Sequence, residues 1–102
     1  MTTGPLTALL TDEVNDVLVT DDGRVWVDTG DALVAHGYID AHTLQVELER
    51  ILAASGRRLD RMNPVIDVGL EGGARLCAVG PPVAVGGVQV ALRRHRQTTP
   101  RL

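Results

Sequence analysis

The stretch Val14-Asn15-Asp16-Val17-Leu18-Val19-Thr20-Asp21-Asp22-Gly23-Arg24-Val25-Trp26-Val27-Asp28 decides the fold class. Val17 and Val19 alternate with Asp16, Leu18 and Thr20, the period of two that belongs to a strand with one buried face. Asp22-Gly23 then supplies a tight turn, because glycine accepts a positive φ without steric cost, and the pattern resumes with Val25-Trp26-Val27. The segment predicts a β-hairpin.

On its N-terminal side, Pro5 to Leu10 opens with a proline suited to a first helical turn and carries Leu6, Leu9 and Leu10 at helical spacing. A short helix is expected there, ended by Thr11-Asp12-Glu13. On the C-terminal side, Thr29 to Tyr38 is punctuated by glycine and weakly patterned; it reads as a loop with at most one short strand, Ala32 to Ala35. Asp40 is placed to N-cap a helix from about Ala41 to Ala54. Leu44, Leu48, Ile51 and Leu52 fall on one face of that helix, with Gln45, Glu47, Glu49 and Arg50 largely on others. Ser55-Gly56 is its stop signal.

After a polar connection, Arg57 to Pro64, come three β-rich segments: Val65 to Leu70, Arg75 to Val79 and Val88 to Arg93. Glu71-Gly72-Gly73 and the run from Gly80-Pro81-Pro82 to Gly86-Gly87 separate them. The order predicts an α+β domain with a mostly antiparallel sheet, the hairpin plus three C-terminal strands, packed by one long and one short helix. Residues 1–96 are expected to form the domain, and 97–102, with Pro100, the start of a linker.

A chain of 102 residues has the size of one small domain, able to bury roughly 60 to 65% of its unfolded surface. Trp26 and Tyr38 are its only aromatic residues besides histidine, so the core must be Val, Leu, Ile and Ala, which argues against base-stacking platforms and aromatic ligand cages. The net charge of −3 hides an asymmetry. Acidic residues dominate up to Glu49, and most of the arginines lie beyond it. The single Cys77 allows no internal disulfide and implies a reducing compartment. Within Leu76-Cys77-Ala78-Val79 it reads as a buried, inert thiol. Met1-Thr2-Thr3-Gly4-Pro5 has no basic signal-peptide start, and no apolar run approaches the roughly 20 residues that span a bilayer. A cytoplasmic location is expected.

Few residues carry chemistry. A phosphate-binding loop requires a glycine-rich turn closed by Gly-Lys-Ser/Thr; the chain has no lysine, so Gly72-Gly73 and Gly86-Gly87 read as strand-connecting turns. His36, His42 and His95, with Cys77 and Asp28, lack chelating spacing, and no metal site is expected. Ser55, the sole serine, reads as a helix-end residue and no nucleophile. Asp21-Asp22 and Asp12-Glu13 read as solvated turn residues. The one concentration of charge is Arg93-Arg94-His95-Arg96. A basic strand end by itself is more often a solvated or nonspecific surface; if the last two strands pair antiparallel, Arg75 at the start of one and Arg93 at the end of the other reach the same end of the sheet, where two guanidinium forks would suit a phosphate clamp.

Taken in order, the segments are similar to a known family. Gly4-Pro5-Leu6 with Leu9-Leu10, then Val14-Asn15-Asp16-Val17-Leu18-Val19 and Val25-Trp26-Val27-Asp28, resemble the opening of CpaF-type traffic ATPases of Tad pilus and type II or IV secretion systems. Gly56-Arg57-Arg58-Leu59-Asp60 with Pro64-Val65-Ile66-Asp67, Arg75-Leu76-Cys77-Ala78-Val79-Gly80-Pro81-Pro82-Val83 and Leu92-Arg93-Arg94 complete the resemblance, which covers Gly4 to about Arg96. Gly73-Ala74 stand where the family usually has an acidic or polar turn, and His95 where an aromatic often follows the arginines.

The resemblance implies the N-terminal regulatory and oligomerisation domain of a hexameric secretion or pilus-assembly ATPase, no enzyme by itself. It implies that Arg75, Arg93 and Arg94 contact the phosphates of ATP, which a separate ATPase domain holds together with Mg2+. Implied partners are that ATPase domain, neighbouring subunits and an inner-membrane secretion platform, with the domain cytoplasmic or peripheral at that membrane. No cofactor is expected in this piece alone. An alternative is a free-standing adapter that docks on a secretion ATPase; a reading frame continuing past Leu102 into a Gly-Lys-Ser/Thr loop would favour the first reading. Binding of nucleic acid through the arginine-rich end, marked by steep salt dependence, sits poorly with the acidic first half.

Overall fold

The computed structural model describes residues 4–94, and of Glu71 its backbone alone. The hairpin forms where the alternation places it. Strand β1, Asp16–Val19, and strand β2, Arg24–Asp28, pair antiparallel with Val17 opposite Val27 and Val19 opposite Val25. The turn between them closes through Gly23 N–H to Thr20 O at 2.9 Å and Thr20 N–H to Arg24 O at 3.0 Å. Gly23 takes φ +85°, and the Asp22 carboxylate accepts the Arg24 N–H. The hydroxyl of Thr20 also bonds Asp22 and holds its carboxyl below the usual carboxylate range.

The expected loop after the hairpin is instead a third strand, β3, Leu33–Tyr38, paired antiparallel with β2. All six of its residues are exposed. A strand with neither face buried carries no burial alternation, which is why the period-two signal is missing there. Gly37, at φ +77°, lies where the β2–β3 register shifts, so what reads as loop punctuation marks a bulge.

Helix α1, Ala41–Leu52, starts at Asp40, whose carboxylate accepts Thr43 N–H at 3.1 Å and the Thr43 hydroxyl at 2.6 Å. The hydroxyl first and the amide second hold that carboxyl below its ordinary range. Leu44, Leu48 and Leu52 are buried at four-residue intervals. A 3-10 turn, Ala53–Ser55, and Gly56 at φ +71° end the helix. Ser55 Oγ donates to Leu52 O at 2.7 Å and accepts Arg57 N–H at 3.1 Å, the helix-end role expected of it.

Strands β4, Val65–Gly69, β5, Ala74–Val79, and β6, Gln89–Arg94, follow. The six strands form one antiparallel sheet in the order β3-β2-β1-β6-β5-β4. The fold is α+β, as the order of segments predicts. The two halves meet in the middle of the sheet, where β1 pairs with β6, Val17 opposite Leu92.

One face of the sheet carries Val17, Val19, Val25, Val27, Ile66, Leu76, Ala78, Val90 and Leu92, all buried beneath Leu44, Leu48 and Leu52 of α1. Leu6 is fully buried in the same core. The short helix expected over Pro5 to Leu10 is a single 3-10 turn, Thr7–Leu9. It is fastened by Glu47, 1% exposed, whose carboxylate accepts the N–H of Leu6 at 2.9 Å and of Thr7 at 3.3 Å and pairs with Arg50. The amphipathic reading of α1 put Glu47 off the apolar face. It is buried because residues 4–10 cover that flank, and its charge serves amides that the short turn leaves without partners.

Candidate functional site

Among the described residues, no helix lies over the other face of the sheet. Side chains alternate along β5, so with Ala74, Leu76 and Ala78 buried, Arg75 and Cys77 point to the open side. Cys77 is exposed, against the expectation of a buried thiol. An apolar run on one strand does not reveal which of two adjacent positions faces the core; that is fixed by the pairing of Leu76 with Leu92 and Val68. Across the open face, Trp26, Leu18, Ala91 and Cys77 lie in one cross-strand row over four adjacent strands.

The next row is charged. Asp28 pairs with Asp16, Asp16 with Arg93, and Arg93 with Arg75, over β2, β1, β6 and β5. The two arginines that the sequence brings to one end of the sheet are thus direct cross-strand partners, the arrangement a phosphate clamp needs. Their side chains are 60% exposed at Arg75 and 70% at Arg93. Like charges directly opposite in an antiparallel pair repel, and here a carboxylate flanks each. Arg75 Nε donates to Asp67 Oδ1 at 2.7 Å, and Arg93 Nε donates to Asp16 Oδ1 at 3.0 Å. The side chain of Asp16 is only 14% exposed and that of Asp67 is 54% exposed.

Arg94 is not part of this pair. One position along β6 it turns to the helix-covered side, where Nη2 donates to Leu10 O at 2.6 Å and Nη1 lies 3.8 Å from Asp12. Its backbone N–H bonds Asn15 O at 2.8 Å. These contacts tie the N-terminal segment to the last described strand. His95 and Arg96 of the basic cluster, and the linker expected at 97–102, lie outside the described residues.

Asp16 and Asp67 are the members of the site that sequence reasoning missed. Each sits at a solvent-facing position of an alternating strand, Asp16 before Val17 and Asp67 between Ile66 and Val68. That alternation shows they face outward. Pairing with particular arginines follows only from the strand order, which places β1 beside β6 and β4 beside β5.

A cavity of about 1090 Å³ lies at the opposite end of the sheet, between α1 and the segments around residues 21–23, 57–61 and 80–88. Leu48, Leu52 and Leu59 are among its lining, with Asp21, Asp60 and Arg58. Asp60 there serves its own turn, accepting Asn63 N–H at 2.8 Å and Met62 N–H at 2.9 Å, and the Asn63 amide foremost holds its carboxyl below the usual range. His36 and His42 are exposed. Among the described residues no three His, Cys, Asp or Glu side chains gather to hold a metal ion, and no helix is long and apolar enough to cross a membrane.

No family model matches the chain. A protein described as a conjugal transfer protein, from two strains of Mycobacterium tuberculosis, is 40% identical to it over 99 residues, covering 89% of this chain. The chain spans 28% of that relative's length. Among solved structures, the VirB11 ATPase of the Brucella suis type IV secretion system, in complex with sulphate, matches with a TM-score of 0.77 at 24% identity, covering 96% of this chain and 31% of that one. The chain therefore shares its fold with part of a secretion ATPase and resembles part of a conjugal transfer protein in sequence.

Proposed function

We propose that this chain is the N-terminal domain of a secretion-type traffic ATPase of the kind the sequence resembles, and that Arg75 and Arg93 reach the nucleotide phosphates held by a separate ATPase domain. The observation that carries the reading is the direct cross-strand pairing of Arg75 with Arg93, both side chains exposed on the face opposite α1. The likeness to part of the VirB11 ATPase supports it, as does the 40% identity to part of the conjugal transfer protein. The chain lacks the lysine of a phosphate-binding loop, so ATP and Mg2+ belong to the partner domain, and this domain supplies charge alone. Guanidinium groups delivered to a phosphoryl group stabilise the charge of its transfer. Arg94, committed to Leu10 and Asp12, joins this role only if that contact is released.

The finer features implied by the resemblance belong to the same proposal. These are service in a Tad-type system, a hexameric ring, contact with neighbouring subunits and an inner-membrane platform, and a cytoplasmic or membrane-peripheral location. The uncovered row of Trp26, Leu18, Ala91 and Cys77 offers the apolar seat that an adjoining domain would need.

The test joins this domain to its ATPase domain and measures hydrolysis. The double variant Arg75→Ala, Arg93→Ala is expected to lower kcat by about 10³-fold, the low end of what a phosphate-directed arginine contributes. Full activity in that variant would remove the clamp.

A further inference from the structure

We infer that Asp16 and Asp67 are positioning residues for the arginine pair, holding each guanidinium by Nε so that its two Nη groups stay free for one phosphate group; this rests on the function proposed above. A guanidinium has five N–H donors, one on Nε and four on the Nη pair. Arg75 spends Nε on Asp67 and Arg93 spends Nε on Asp16. Neither makes another side-chain hydrogen bond among the described residues. The bond that fixes each fork therefore leaves unspent the edge that binds a phosphate in bidentate fashion.

The two carboxylates approach from opposite sides. Asp67 lies on β4, outside β5, and Asp16 on β1, outside β6. They bracket the arginines and offset the repulsion between them, so that two like charges stay side by side on an exposed surface. Asp16 is the firmer post, because its side chain is mostly covered while Arg93 is mostly open.

A carboxylate this near a bound phosphate repels it. A residue that merely neutralises the arginines would therefore, when made neutral, leave tighter binding and unchanged turnover. A positioning residue gives a split result. With Asp16→Asn or Asp67→Asn in the domain joined to its ATPase domain, KM for ATP is expected to stay level or fall by up to about threefold, the screened Coulomb effect of one removed surface charge. The same variants are expected to lower kcat by about tenfold, since a misplaced group costs rate before it costs affinity. Asp67→Glu is expected to recover part of that loss, because it restores a charged acceptor for Nε in place of the weaker amide oxygen that Asn offers.

A second readout needs only the present chain. The Nε–H signals of Arg75 and Arg93 in an NMR spectrum are expected to be sharp and slowly exchanging in the parent, and to broaden in the matching Asn variant. Added tripolyphosphate is expected to shift the Nη signals of the parent while leaving Nε in place. Unchanged kcat in both Asn variants, with Arg75→Ala, Arg93→Ala inactive, would overturn the positioning role and leave the clamp intact. An active double arginine variant would instead sink the clamp and this inference with it.

Discussion

Leu76 and Cys77 are neighbours on β5, yet the first is fully buried and the second exposed. Leu76→Ala removes three carbon atoms from the core, worth about 2.4 kcal/mol at ~0.8 kcal/mol per methylene. The cavity left behind adds to this, because Leu92 and Ile66 on adjacent strands are held by the sheet and collapse only in part, and about 3 to 4 kcal/mol is expected. That is a large share of the roughly 5 to 15 kcal/mol that holds a domain folded. At about 4 to 8 °C per kcal/mol for a domain of this size, Tm should fall by at least ~12 °C. Cys77→Ser puts a hydroxyl where water already reaches, and should stay within about 0.5 kcal/mol of the parent. Thermal and urea unfolding followed by far-UV circular dichroism measures both, and a thiol reagent should label Cys77 in the folded protein. Equal losses from the two substitutions, or a thiol protected until unfolding, would refute the face assignment. A one-residue slip of β5 would also remove Arg75 from the open side.

Glu47→Ala should cost about 1 to 3 kcal/mol, as leaving a buried donor unsatisfied does, because it strips the N–H groups of Leu6 and Thr7 of their acceptor; Glu47→Gln should cost less, and urea midpoints decide the order. Gly23→Ala should cost more than about 1 kcal/mol, since the turn holds φ +85° and a Cβ would stand 2.6 Å from Ile39 O; Tm compared with Gly56→Ala, where the space is open, separates crowding from strain. Asp22, Asp40 and Asp60 all have carboxyls held below the usual range by hydrogen bonds in the fold. Their contribution is complete above the unfolded value of about 3.9 and is lost as pH falls through the lower folded values. Stability should therefore drop on acidification below about pH 4, with a shallower slope in Asp40→Asn.

What could be read in the sequence followed from burial. The hairpin, the leucines of α1 and the last three strands each leave a periodic mark because one of their faces meets the core, and the exposed cap at Asp40 is legible from its own hydrogen-bonding chemistry. β3 leaves none, since it is held by backbone pairing to β2 with both faces in water. Glu47 defied its pattern for the complementary reason, being enclosed by a segment 40 residues away in the chain, out of reach of any local period. The arginine pair was legible because Arg75 and Arg93 belong to consecutive strands, whose antiparallel pairing is the default. Their carboxylates were not, because Asp16 reaches Arg93 only once β1 is known to lie beside β6.

That junction of β1 with β6 also bears on how the molecule is born. As the chain leaves the ribosome, the first three strands emerge with β1 an open border, awaiting a neighbour about 75 residues downstream in the register of Val17 with Leu92. Until it arrives, the valines of the hairpin have α1 above them but no continuation of the sheet beside them. Closure across so long a stretch is slow, and truncation within β6 would leave two separate three- and two-stranded remnants, each with an adhesive rim.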